Sequence, residues 1–329
     1  MEERKSDHIS LASQAKLPIS HNDSRFCYEP MLAAHPVGMC SPIQLLGKEL
    51  AVPFWVSSMT GGTAVAKTIN QNLARACSEF GMGMGLGSCR ILLDNPQHYA
   101  DFDVRDILGS HLPFYANIGI CQLEELVENN EFDRLTEIVR RLRTDGLIVH
   151  VNPLQEWFQA EGDRIKRPPI ETIAELLGLV DYPVIVKEVG QGMGYQSLNA
   201  LLKLPLAAVE LAAFGGTNFS KMEMLRANSP EGDAFAGFAA VGHSASEMVE
   251  MVNDIVLNGD VTCNQLIISG GIENFLDAYY LLSKSSLPAV VGMASALLRY
   301  AQDYDMLKRF VIAQVRGFRM AQAYLRVKE

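Results

Sequence analysis

Short apolar runs recur along the chain, separated by polar or amphipathic sequence: Ala51–Ser57, Met82–Leu86, Phe114–Ile118, Gly146–Val151, Pro183–Glu188, Ala207–Ala213, Gln265–Ser269 and Pro288–Val291. Each is brief and mostly hydrophobic, as a strand buried on both faces requires. Between them Val65–Phe80, Leu123–Arg143, Pro169–Leu179, Ala245–Leu257 and Asn274–Ser283 place apolar residues at helical spacing opposite a charged face. Strands joined eight times over by helical crossovers predict a (β/α)8 TIM barrel. A doubly wound open sheet is the rival. It would need a reversal of strand order that the pattern does not display, and no Gly-x-Gly-x-x-Gly follows a strand. The expected organisation is an N-terminal arm, residues 1–50, folding back on a barrel of residues 51–329 and contributing to its substrate site. Asp305–Val327, basic and helical in pattern, is expected to complete the outer ring.

Composition narrows the function classes. A hydrophobic content of 48% in 329 residues is ample for one large core. No apolar run reaches the roughly 18 residues of a membrane span, and the charged start Met1–Asp7 has no hydrophobic stretch behind it, which together point to a cytoplasmic protein without a membrane partner. Six cysteines, Cys27, Cys40, Cys77, Cys89, Cys121 and Cys263, stand singly, as in a reducing compartment. A net charge of -10 argues against nucleic acid, which needs a basic face. A small anionic ligand remains open, because a few local cations can outweigh the global sign.

A barrel gathers its chemistry on the loops after the strands' C-terminal ends. In this chain those positions read Ser57-Ser58-Met59-Thr60-Gly61-Gly62, Gly87-Ser88-Cys89-Arg90, Asn117 with Gly119, His150-Val151-Asn152-Pro153-Leu154-Gln155-Glu156, Lys187-Glu188-Val189-Gly190-Gln191-Gly192, Gly215-Gly216-Thr217-Asn218, Ser269-Gly270-Gly271 and Gly292-Met293-Ala294. The fourth is the most informative. It delivers an imidazole, two carboxamides and a carboxylate to the rim after a wholly apolar strand, enough to hold a ligand and a hard cation. A polar loop that only caps the next helix is the plainer alternative. Glycines after the seventh and eighth strands suit a phosphate cradle, where a Cβ would keep backbone N–H groups from the anion. Lys187, Asn117, Ser88 and Thr217 on one rim offer donors to a planar, oxygen- and nitrogen-rich ring such as a flavin.

These motifs, with Arg4-Lys5-Ser6-Asp7-His8 at the start and Ser269-Gly270-Gly271-Ile272 near the end, resemble type 2 isopentenyl diphosphate isomerase in order and spacing from residue 4 to about residue 300. That family uses FMN and Mg²⁺ to interconvert isopentenyl and dimethylallyl diphosphate, with NADPH serving to reduce the flavin. The resemblance implies that Met59, Thr60, Gly61, Ser88, Asn117, Lys187, Thr217, Gly271, Gly292, Met293 and Ala294 hold FMN. Arg4, Lys5, His8, Arg90, His150 and Asn152 would hold the diphosphate, and Glu156 the Mg²⁺. Gln155 would lie beside the reacting carbons, and Glu223 matches a carboxylate near the metal, so both are expected to be catalytic. A homo-oligomer, tetramer or octamer, is also implied. The family usually has Gln at Cys89, Ser at Gly194, Trp at Phe219 and Arg at Glu273; the last change sets a carboxylate beside the cradle, repulsive unless it turns outward.

Moving a double bond adds a proton at one carbon and removes one from another with no net oxidation. An alkene is a poor base, so a strong local acid and exclusion of water are required. By resemblance, reduced flavin supplies the proton exchange and the protein positions the substrate. Two other classes stay open: an FMN-dependent oxidoreductase such as a 2-hydroxy acid oxidase, for which His243 is the candidate base outside these motifs, and a flavin-binding barrel without catalysis.

Overall fold

A computed structural model of the protein describes residues 2–38, 40–58, 64–227 and 234–328. Two short strands pair as a hairpin, β2 (Ile43–Leu45) with β3 (Lys48–Leu50), and a ribbon joins β1 (Phe26–Tyr28) antiparallel to β12 (Leu325–Val327). Between them β4 (Phe54–Val56), β5 (Gly83–Gly85), β6 (Phe114–Gly119), β7 (Gly146–His150), β8 (Val184–Lys187), β9 (Ala208–Glu210), β10 (Leu266–Ser269) and β11 (Ala289–Met293) close into a barrel. Every neighbouring pair is parallel, and β11 returns to β4, so the open-sheet alternative falls. Nearly every barrel-strand residue is buried, which is why these runs lack the alternation of a half-exposed sheet. Gly83 shows how tightly the interior is filled: a Cβ there would come within 2.3 Å of the Trp55 ring on the adjoining strand.

Helices Ala64–Phe80, Pro169–Leu179, Ala245–Asn258 and Phe275–Lys284 lie where amphipathic periodicity predicts them. The single helix expected over Leu123–Arg143 is instead two, Ile120–Glu128 and Asp133–Leu142. Asn130 breaks it by adopting a left-handed backbone (φ 55°), which asparagine tolerates better than most side chains. The helix Tyr195–Leu202 carries no charged face to announce it. The last predicted helix also ends early: Tyr304–Tyr324 is helical, but Leu325–Val327 turns into β12 because Phe26–Tyr28 offers a strand to pair with.

The first fifty residues divide. The β2–β3 hairpin closes the N-terminal end of the barrel, with Leu45 and Leu50 fully buried, Leu46 N donating to Gln265 Oε1 (2.7 Å) and Lys48 Nζ meeting Asp145 (2.6 Å). This is the end opposite the loops that follow the strands. The helix Glu2–Leu11 is highly polar, and the side chains of residues 3–22 are exposed, Arg4, Lys5 and His8 among them.

Candidate active site

β7 carries the fourth-strand motif to the rim, and Pro153 at the first helical position starts the helix Pro153–Phe158 at once. Asn152 occupies the capping position, yet its side chain makes no capping bond. Its Nδ2 donates instead to Gln155 Oε1 (3.1 Å) and Glu156 Oε1 (3.0 Å), so one amide holds the two functional side chains together. The reading of this segment as a mere cap is therefore incomplete. Asn152 Oδ1 is buried without a partner among the described residues, an unsatisfied acceptor beside a carboxylate. Glu156, also buried, accepts from Asp163 N at its other oxygen (2.9 Å). Asp163 in turn binds Arg90 (2.9 Å) and Gln122 Nε2 (2.8 Å), which ties the β5 loop to the β7 loop and leaves Arg90 half exposed at the rim. Glu223 lies buried on the helix Phe219–Ala227, which packs against Pro153–Phe158, and is bridged by Arg226 (3.1 Å).

His150 ends β7. Asn117 Nδ2 donates to Leu86 O (3.1 Å), which turns Asn117 Oδ1 toward His150 Nδ1 at 2.9 Å. The imidazole proton therefore sits on Nδ1, and Nε2 keeps its lone pair. Burial, helped by the Lys187 ammonium, pushes the His150 pKa down to about 3. The resemblance set His150 among the diphosphate holders, but in this environment it is a neutral hydrogen-bonding ring and not a cation. Because the folded value lies below the unfolded value near 6.5, this site's stabilisation is present above pH ~6.5 and lost as pH falls toward 3. In NMR titrations of the free protein its ring signals are expected to stay those of neutral histidine from pH 8 to pH 5. A transition centred near 6.5 would contradict the described environment.

The other half of the rim is a cradle. A cavity of about 590 Å³ is bounded by Gly215, Gly216, Thr217 and Gly271, and by Ser295 and Arg299 beyond β11. It continues through Thr217, Gly271 and Ser295 into a narrow pocket of about 80 Å³ reaching Ser57, Lys187, Glu210 and Gly292 on the barrel floor. Glycine is required at 270, where φ is +95° and a Cβ would lie 2.1 Å from Ala213 O. Glu273 borders the cavity but is exposed, and Arg299 supplies a cation to the same lining. Gly292 and Ala294 face the pocket, whereas the Met293 side chain turns into the core, as strand alternation dictates. Lys187, buried, donates to Glu188 O (2.7 Å). The Glu188 carboxylate organises the β8 loop by accepting from the N–H groups of Gly190 (2.6 Å), Gln191 (2.7 Å) and Gly192 (3.0 Å), while burial raises its pKa. Ser88 is exposed on the β5 loop, and beside it Cys89 is fully buried, its thiol pushed up to about 12 and inert. Met59, Thr60 and Gly61 lie outside the described residues. Arg4, Lys5 and His8 are exposed, and none of them lines either of these two cavities.

The sequence motifs do not include Arg299 or Glu210, and they place Ser57 and Ser269 on the rim without giving either a role. Arg299 gives no local signal, standing beyond the last glycine turn. Glu210 does give one, a lone carboxylate in an apolar strand. His243, the candidate base for an oxidase, instead borders a separate apolar cavity of about 620 Å³ with Gly192, Gly194 and Ile173.

Comparison with family models gives no match. Solved structures of the same fold include a mutant flavocytochrome b2 with pyruvate bound (TM-score 0.63, 14% identity, 91% of this chain and 72% of that one). Another is a mandelate oxidase mutant with a monooxide FMN adduct (TM-score 0.57, 11% identity, 92% and 88%). Among curated proteins, the isopentenyl-diphosphate delta-isomerase of a Synechococcus species is 35% identical over 321 residues, covering 94% of this chain and 88% of the relative. That of Rickettsia felis is 33% identical over 310 residues, covering 93% and 87%. At this identity and coverage, the chain belongs to the isopentenyl-diphosphate delta-isomerase family.

Proposed function

We propose that this barrel interconverts isopentenyl and dimethylallyl diphosphate as a type 2, FMN- and Mg²⁺-dependent isomerase, with NADPH needed only to reduce the flavin. The observation that carries the reading is the Asn152 amide clasping Gln155 and Glu156 at the rim, across the mouth from a glycine-lined cradle. The residues present fit FMN: the cavity accepts a phosphate at backbone glycines, and in the narrow pocket Ser58 Oγ and Glu210 Oε2, buried and without a partner among the described residues, suit polar groups of a ring. They also fit Mg²⁺, which favours a carboxylate, neutral oxygens and waters; Glu156 and the orphaned Asn152 Oδ1 supply such a set.

In this reading the bound flavin, once reduced, supplies the proton exchange. The chain's own residues do the rest. Glu156 would hold the Mg²⁺ and Arg90 would set its guanidinium against the diphosphate, while the neutral His150 adds no charge but fixes Asn117. Gln155 accepts from Asn152 through Oε1, and its Nε2 has no partner among the described residues, so it can orient the five-carbon skeleton. Arg4, Lys5 and His8 join the site by movement of the exposed arm toward the diphosphate, whose concentrated negative charge outweighs that of the exposed carboxylates Glu3 and Asp7 of their own helix.

Incubating the protein with FMN, Mg²⁺, NADPH and isopentenyl diphosphate tests the reading. Flavin absorbance should remain with the protein after desalting, and dithionite-reduced enzyme should complete many turnovers with no NADPH consumed. Stoichiometric NADPH oxidation would point to the oxidoreductase alternative, for which the position of His243 outside the mouth offers no base.

A further inference from the structure

Glu210 is wholly buried at the end of β9, beneath the candidate flavin pocket. Its Oε1 accepts from Ser57 Oγ (2.5 Å) and Ser269 Oγ (3.0 Å), hydroxyls from two different strands, while Oε2 has no partner among the described residues. Ser269 is itself fixed, its Oγ accepting from Ala212 N (3.0 Å). Glu210 is register-paired with Lys187 on the neighbouring parallel strand. Of the described residues lining the pocket, only these two ionise. The floor thus holds one cation and one anion side by side, with the anion's free oxygen left for a donor. His150, paired with Lys187 from the other side, adds no charge in its neutral state.

We propose that Glu210 is the counter-charge that sets the protonation state of the reduced flavin. The proposal rests on the FMN reading above. A cation alone beside a flavin stabilises the anion formed on reduction and draws a proton off the ring; a carboxylate next to that cation opposes it. In water-poor surroundings the opposition is strong. With Glu210 in place the floor is neutral, so the ring takes up two protons with its two electrons and keeps an exchangeable proton for the alkene. Without the carboxylate, Lys187 acts unopposed and one proton is lost.

The test is spectroelectrochemical titration of FMN-loaded wild type, Glu210→Gln, Glu210→Asp and Ser57→Ala at several pH values. Glu210→Gln preserves shape and can still accept from both serines. It is expected to raise the midpoint potential, and its slope against pH should fall from two protons per two electrons to one, with an anionic reduced-flavin spectrum. Glu210→Asp retains the charge and should restore the neutral spectrum. Ser57→Ala, which removes one hydrogen bond to the carboxylate, should shift the potential the same way by a smaller amount and stands in if Glu210→Gln does not fold. A role confined to packing predicts wild-type potential and proton count in Glu210→Gln, or in Ser57→Ala where that variant stands in, and that result overturns the proposal. Failure of the wild type to bind FMN overturns the cofactor reading and this inference together.

Discussion

Glu156→Gln is expected to raise the Mg²⁺ concentration needed for half-maximal activity at least tenfold and to lower kcat/KM on the order of 10²-fold, while flavin absorbance stays with the protein. The substitution keeps volume and removes charge. Glu156 is buried, its oxygens already aligned by Asn152 Nδ2 and Asp163 N, so little relaxation can bring another carboxylate into its place. Among the described residues no cluster of three or more His, Cys, Asp or Glu could substitute as a metal site. The cradle stands on β9, β10 and β11, away from β7, so FMN affinity should move little. Magnesium titrations of initial rate, with flavin content measured on the same samples, decide the matter. An unchanged magnesium requirement would remove Glu156 from the metal.

Gln155→Ala should lower kcat about 10²-fold and leave KM within a few-fold of wild type, the pattern of an interaction made in the transition state. Gln155 carries no charge with which to hold a diphosphate. Its Oε1 is committed to Asn152, and the remaining amide group is the part that can meet the substrate. Truncation frees the Asn152 hydrogen that Gln155 accepted, while the other Nδ2 hydrogen keeps its bond to Glu156, so metal binding should survive. The opposite pattern, KM rising while kcat holds, would make Gln155 a binding residue.

The eight barrel strands were legible because each is a continuous apolar run, and the rim loops followed from where those runs end. The β2–β3 hairpin was hidden because strands of three residues have no readable period. The split of Leu123–Arg143 turned on one backbone angle at Asn130, and β12 on a partner about three hundred residues away. In the site, motif spacing placed Asn152, Gln155 and Glu156 together, but a motif carries no protonation state. That His150 is neutral depends on its burial and on Lys187, and its tautomer on Asn117 and Leu86, all set by other strands or their ends. Glu210 acquires meaning only when closure of the barrel sets Ser57, Lys187 and Ser269 around it.

The ribbon of β1 and β12 has a consequence for how the molecule is made. Phe26–Tyr28 is made long before the strand it pairs with among the described residues, Leu325–Val327. At ~5–20 residues per second, the 297 residues from Glu29 through Leu325 take roughly 15–60 s to synthesise. Until Asp277, Tyr279 and Tyr280 are made, the segment bearing Arg25 and Phe26 lacks the side chains it docks on, and the strand it pairs with is later still. The tether of the N-terminal helix is thus stitched only after β11 has been made, and the arm can be set at a fixed distance from the mouth only once the ring that forms the mouth is complete.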